Sequence, residues 1–112
     1  MIVTADLEHI EQARFVSWFR QACPGIVIFA IPNGGQRNKV VAAKLKAEGV
    51  LPGVPDLFIP EWKVFIEMKR KKGGVVSKEQ KDLMEYLQSQ RYTCQVCNGF
   101  EEAKEFIQNL GC

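Results

Sequence analysis

Asp56, Glu67 and Lys69 are the residues of this 112-residue chain whose types and spacing can do chemistry. They flank Pro60-Glu61-Trp62, which separates two short runs, Asp56 to Ile59 and Lys63 to Lys69, that read as the strands of a hairpin. With the turn centred on Glu61-Trp62, Leu57 faces Ile66 and Ile59 faces Val64 on one side, which is wholly aliphatic. On the other side Phe58 faces Phe65 and Asp56 faces Glu67. Two carboxylates about 5 Å apart at Cβ repel unless a cation lies between them. Oxygen donors of this kind suit Mg²⁺ or Mn²⁺, which polarises a phosphoryl oxygen and lowers the pKa of a bound water. Lys69 shares the face of Glu67, because side chains alternate along a strand. A lysine there steers an attacking water, deprotonates it as the neutral amine, or as the ammonium neutralises charge on a pentavalent phosphate. The plainer alternative is that Asp56 opens a strand after a turn while Glu67 and Lys69 form a solvated edge pair.

The residues around the hairpin carry more. Gly53-Val54-Pro55-Asp56-Leu57, then Ile66-Glu67-Met68-Lys69, then Gln80 on the next helix resemble the signature of the PD-(D/E)xK nuclease superfamily. More narrowly they resemble the VRR-NUC (virus-type replication-repair nuclease) domain in its stand-alone phage and bacterial form. Glu8-His9-Ile10-Glu11-Gln12, Ile31-Pro32-Asn33-Gly34-Gly35-Gln36-Arg37 and Glu48-Gly49-Val50 fall in similar order, so the likeness runs from about residue 8 to 105.

The resemblance implies an α/β fold with a restriction-endonuclease-like core, a mixed four-stranded sheet flanked by helices. It implies that Asp56 and Glu67 bind Mg²⁺ or Mn²⁺ together with the backbone carbonyl of Met68 and an acid on the first helix. Lys69 is then the catalytic lysine, and Gln80 orients it or contacts the backbone. Glu8 is the preferred helix acid, since its spacing to Gln12 puts both on one face with Phe15 and Phe19; Glu11, about a quarter-turn away, is the alternative. The activity implied is that of an endodeoxyribonuclease hydrolysing DNA phosphodiester bonds in replication, repair or recombination. Branched or flapped DNA, such as a Holliday junction, is the expected substrate and a homodimer the expected assembly. A non-catalytic nucleic-acid-binding module on the same scaffold is the competing reading, but it predicts loss of an acid or the lysine, and all three are present.

Several elements must position these residues. Apolar residues at Leu7, Ile10, Phe15, Trp18, Phe19 and Ala22 recur at helical spacing, and Pro24-Gly25 ends that helix. Ile26 to Ile31 reads as a buried strand, Lys39 to Glu48 as a helix closed by Gly49, and Ser77 to Ser89 as a helix on which Ser77 and Gln80 form a capping box. Tyr92 to Cys97 is a last strand, and Phe100 to Leu110 a last helix with Phe100, Ala103, Phe106, Ile107 and Leu110 as its stripe. The hairpin must be antiparallel, while a helical crossover favours a parallel neighbour for the last strand, so the sheet is mixed.

A length of 112 residues makes one domain, residues 1–112. A net charge of +2 is too small to announce a nucleic-acid partner, so any such reading rests on placement. Arg37, Lys39, Lys44 and Lys46 near the glycine loop, with Arg70, Lys71 and Lys72 just past Lys69, would form two banks of a phosphate groove. Trp18 and Trp62 are candidates for stacking, although a buried helical residue and a hairpin tip need no such role. The lone histidine, His9, belongs to no catalytic motif. No run reaches the length of a membrane span and the start lacks the layout of an export signal, which makes the cytoplasm of a bacterial or phage-infected cell the expected location. There Cys23, Cys94, Cys97 and Cys112 are expected as thiols. Cys94-x-x-Cys97 lacks a well-spaced second pair, so no structural zinc is expected.

Overall fold

The hairpin forms in the register that side-chain type dictates. A computed structural model describes residues 4–32 and 38–112. Its elements run α1 (Thr4–Ala22), β1 (Phe29–Ala30), α2 (Lys39–Ala47), β2 (Leu57–Ile59), β3 (Val64–Lys69), α3 (Lys78–Ser89), β4 (Thr93–Asn98) and α4 (Phe100–Leu110). β2 and β3 are antiparallel, with Leu57 opposite Ile66, Phe58 opposite Phe65 and Ile59 opposite Val64. A 3₁₀ turn at Pro60–Trp62 joins them and Lys63 closes it in the left-handed region. β1 runs antiparallel to β2 and β4 parallel to β3, giving a mixed sheet in the order β1-β2-β3-β4.

The two faces of the hairpin part company chemically. Leu57, Ile59, Val64, Ile66 and Met68 lie in one core with Phe15 and Phe19 of α1 and Ala103 and Ile107 of α4. Burying a side chain of this size stabilises by about 1.5–3 kcal/mol, so this layer carries most of the fold. On the other face Phe58 stacks on Phe65 with centroids 4.3 Å apart, and Tyr92 packs edge-on against Phe65. α3 covers that second face beside the aromatic residues.

Two expectations are corrected. The apolar run at Ile26 to Ile31 is not a buried strand: only Phe29–Ala30 form a ladder, and Phe29 is 43% exposed while Ile28 is buried. β1 is an edge with only the three residues of β2 to pair against, so little backbone is fixed there. One further bond, from the Ile31 N–H to the Asp56 carbonyl at 2.8 Å, carries the pairing up to the acid.

The cysteines are not all thiols, because Cys23 and Cys112 form a disulfide. Glu11 of α1 meets Phe100 of α4, and Cys23 and Cys112 lie twelve residues further along each, so the two helices run side by side in the same direction and their ends coincide. Cys94 and Cys97 remain free, and their spacing on β4 turns them to opposite faces, where they cannot share a zinc ion.

The bridge closes a loop spanning 89 positions, which restrains the unfolded chain strongly. Reduction with dithiothreitol, or Cys112→Ser, is expected to cost about 2–5 kcal/mol in denaturant unfolding while leaving far-ultraviolet circular dichroism unchanged. An unchanged midpoint would show that the bridge does not form in solution.

Candidate active site

Met68 shows how the sheet hands its edge to the site. Its N–H donates to Asp56 Oδ2 at 2.8 Å, where one more residue of β2 would otherwise have supplied a ladder partner. A strand residue points its N–H and C=O to the same edge, so the Met68 carbonyl also faces the Asp56 side. Glu67 and Lys69, which point to the opposite face of the sheet from Met68, are 3% and 7% exposed. They are therefore not a solvated edge pair, since such burial of charge demands partners.

Those partners are specific. Lys69 Nζ lies 3.2 Å from Glu67 Oε2, and Gln80 Nε2 donates to the same oxygen at 2.9 Å. The other end of the Gln80 amide is committed as well: Oε1 accepts the Ser77 N–H at 2.9 Å, and Gln80 N–H donates to Ser77 Oγ at 3.1 Å. The capping box that starts α3 thus fixes which end of the Gln80 amide faces the carboxylate. Gln80 reaches the lysine through Glu67.

Both donors take Oε2. Glu67 Oε1 is buried and has no hydrogen-bond partner among the described residues. The neighbouring Asp56 carboxylate can only accept, so a proton or a cation is needed between the two. The titration behaviour follows: burial, and then the Asp56 charge, push Glu67 from an ordinary 4.5 up to about 7. Burial likewise raises Asp56, opposed chiefly by the Met68 N–H and by Lys69.

Two glycines hold these parts at contact distance. A Cβ on Gly53 would lie 2.6 Å from the Glu79 carbonyl oxygen, so the approach to Asp56 is laid directly on the first turn of α3. A Cβ on Gly74 would come within 2.8 Å of Lys69 Cβ, so the return loop lies against the lysine stem.

The two helix acids separate by their partners. Glu11 Oε2 accepts the Phe100 N–H at 3.2 Å and lies 3.8 Å from Arg14, which places its charge at the start of α4. Glu8 is half-buried at the end of the stripe that Gln12, Phe15 and Phe19 continue, and its charge adds to the rise of Asp56 after burial.

The basic residues divide likewise. Arg70, Lys71 and Lys72 line a groove with Arg14, a residue the sequence did not single out because only the packing of α1 beside the end of β3 brings it there. Lys39, Lys44 and Lys46 are exposed on α2, a helix with no buried residue whose Asn38 cap accepts the Val41 N–H. Arg37 lies outside the described residues. Trp18 packs against Phe15 and Phe100, and Trp62 against Phe19, so both rings serve the core.

Comparison with known proteins speaks to family and fold. The family model of the VRR-NUC domain matches residues 4–101. A solved structure described as a VRR_NUC domain protein is similar at 25% identity with a TM-score of 0.75, covering 90% of this chain and 84% of its own. None of the curated proteins matches the chain. The mixed sheet flanked by helices is that of a PD-(D/E)xK-like core, and the chain belongs to the VRR-NUC family of nuclease domains.

Proposed function

We propose that the protein is a divalent-metal-dependent endodeoxyribonuclease that hydrolyses DNA phosphodiester bonds at the Asp56–Glu67–Lys69 centre. The observation that carries this reading is the buried Glu67 Oε1, which has no donor among the described residues and stands next to a second carboxylate. Among the described residues no group of three or more His, Cys, Asp or Glu side chains could hold a metal ion. Two carboxylates and the Met68 carbonyl nevertheless suit Mg²⁺ or Mn²⁺, which keep several waters and need only one or two carboxylates. Glu8 would act on such a cation from further out. When bound, the cation supplies Lewis acidity toward the phosphoryl oxygen and acidifies a water.

The chain's own residues do the rest. Lys69, anchored on Glu67 Oε2, holds a positive charge where negative charge develops on the phosphate and orients the attacking water. Gln80 keeps Glu67 from turning Oε2 toward the cation site. Arg70, Lys71 and Lys72, with Lys39 and Lys44 on α2 and Arg37, bind the phosphate backbone. We read the substrate as flapped or four-way-junction DNA and the working unit as a homodimer, by analogy with the family. The setting we propose is a bacterial or phage-infected cytoplasm, where the Cys23–Cys112 pair would spend part of its time reduced.

The test is cleavage of labelled linear, flapped and four-way-junction DNA with Mg²⁺, Mn²⁺ or EDTA. Cutting that requires metal and favours branched DNA is expected. A protein that binds DNA but cuts none of these with either metal is a binding module instead.

A further inference from the structure

Leu7 and Ile10 are 38% and 42% exposed on the flank of α1, although their spacing continues the apolar side that Trp18 begins. Trp18 is covered by Phe100 at the start of α4, and its ring packs edge-on against it. α4 starts too late to reach the first two turns of α1, so Leu7 and Ile10 instead form one wall of a groove of about 370 Å³. Arg14, Lys71 and Lys72 stand along the same groove, and the Arg14 guanidinium is set over the Phe100 ring at 4.6 Å. The acid lining it, Glu11, is already engaged by the Phe100 N–H and by Arg14.

From this combination we infer that the groove holds one unpaired nucleotide next to the scissile phosphate, its base against Leu7 and Ile10 and its phosphate toward Arg14, Lys71 and Lys72. The inference rests on the nuclease reading and names the substrate feature the enzyme selects. A phosphate alone needs no aliphatic wall, and a continuous duplex keeps its base faces stacked and out of reach. A concavity of this size accepts a single base with its sugar. Extruding a paired base costs a few kcal/mol and an unpaired one far less, so the groove favours DNA with an unpaired nucleotide. The position agrees with this: the groove is lined by residues on either side of Glu8 and by those directly after Lys69, so a strand crossing the end of the sheet delivers a neighbouring nucleotide there.

The probe is a DNA duplex carrying 2-aminopurine at a single unpaired position, compared with the same duplex fully paired and with an abasic residue at the unpaired position. Binding is read in Ca²⁺ by anisotropy and by 2-aminopurine emission. The unpaired base is expected to bind about tenfold tighter than either control with a change in emission. Ile10→Ser, which removes the aliphatic wall without adding charge, should erase the preference while leaving affinity for the paired duplex within about twofold. Equal binding of all three probes overturns the inference, as does a preference that the abasic probe or Ile10→Ser retains. Cleavage in Mg²⁺ without any such preference removes this inference alone. Absence of cleavage with the preference intact removes the nuclease reading and leaves the groove as a nucleotide site.

Discussion

Asp56→Asn is expected to abolish cleavage and, without a divalent cation, to make the protein more stable. The amide still accepts the Met68 N–H, so the junction between β2 and β3 survives, but one of the two carboxylates that crowd the site is gone. In wild type Glu67 titrates at about 7 against an ordinary 4.5, raised by burial first and by the Asp56 charge second. Between those values the folded chain holds more protons than the unfolded one. Wild-type stability therefore falls as pH rises through this window, and the loss is complete above about 7. Removing the Asp56 charge should flatten that fall and add roughly 0.5–2 kcal/mol near pH 8. Cleavage should drop by more than about 100-fold, because on the proposed function a metal ligand is lost as well as a charge. Melting in EDTA at pH 5 and pH 8, beside cleavage in Mg²⁺, measures both. A variant that is inactive and less stable at pH 8 would mean the carboxylates are not in conflict; one that cuts normally would remove Asp56 from the centre.

Gly53→Ala is expected to disable the site from outside it. Gly53 has φ of +93°, and an added Cβ would meet the Glu79 carbonyl oxygen at 2.6 Å, its carbon at 2.7 Å and the Gln80 nitrogen at 3.0 Å. All three are backbone atoms of the first turn of α3, so no side chain can swing aside. Either the approach to Asp56 or the start of α3 must shift, and the Gln80–Glu67 bond with its capping box is lost. Strain and overpacking together cost about 2–4 kcal/mol, and a displacement near 1 Å can cost about 100-fold in rate. Gly49→Ala separates the two effects: its φ is +104° with nothing within 4 Å of the added Cβ. It should lose only about 1–2 kcal/mol and keep full activity. Equal activity loss in both variants would mean that backbone strain, not contact with α3, is responsible.

The centre sits at one place where backbone pairing stops and side chains take over. β2 begins at Leu57, Asp56 just before it pairs with Met68 through its side chain instead, and a carboxylate is thereby held where the sheet opens. The same substitution recurs at the start of α3, where one end of the Gln80 amide caps the helix and the other holds Glu67. Such double use ties each carboxylate to backbone or helix cap, which is the kind of preorganisation that the proposed function requires.

Sequence alone determined the features that depend on neighbours along the chain. Alternation of side chains across a short turn leaves one register with an aliphatic face, and β2–β3 adopt it. The Ser77–Gln80 box and the stripe of α4 are legible for the same reason, since each is closed within a single helix and its cap. The edge character of β1 was not legible, because an apolar run does not say how many partners it will find. Nor was the Cys23–Cys112 bridge, whose members meet only because α1 and α4 lie side by side across 89 positions. The commitment of Glu11 to α4, the arrival of Arg14 beside Arg70, and the laying of Gly53 on α3 are of this second kind. Each is a contact between segments far apart in sequence, and local pattern carries no information about which distant backbone will arrive within 3 Å.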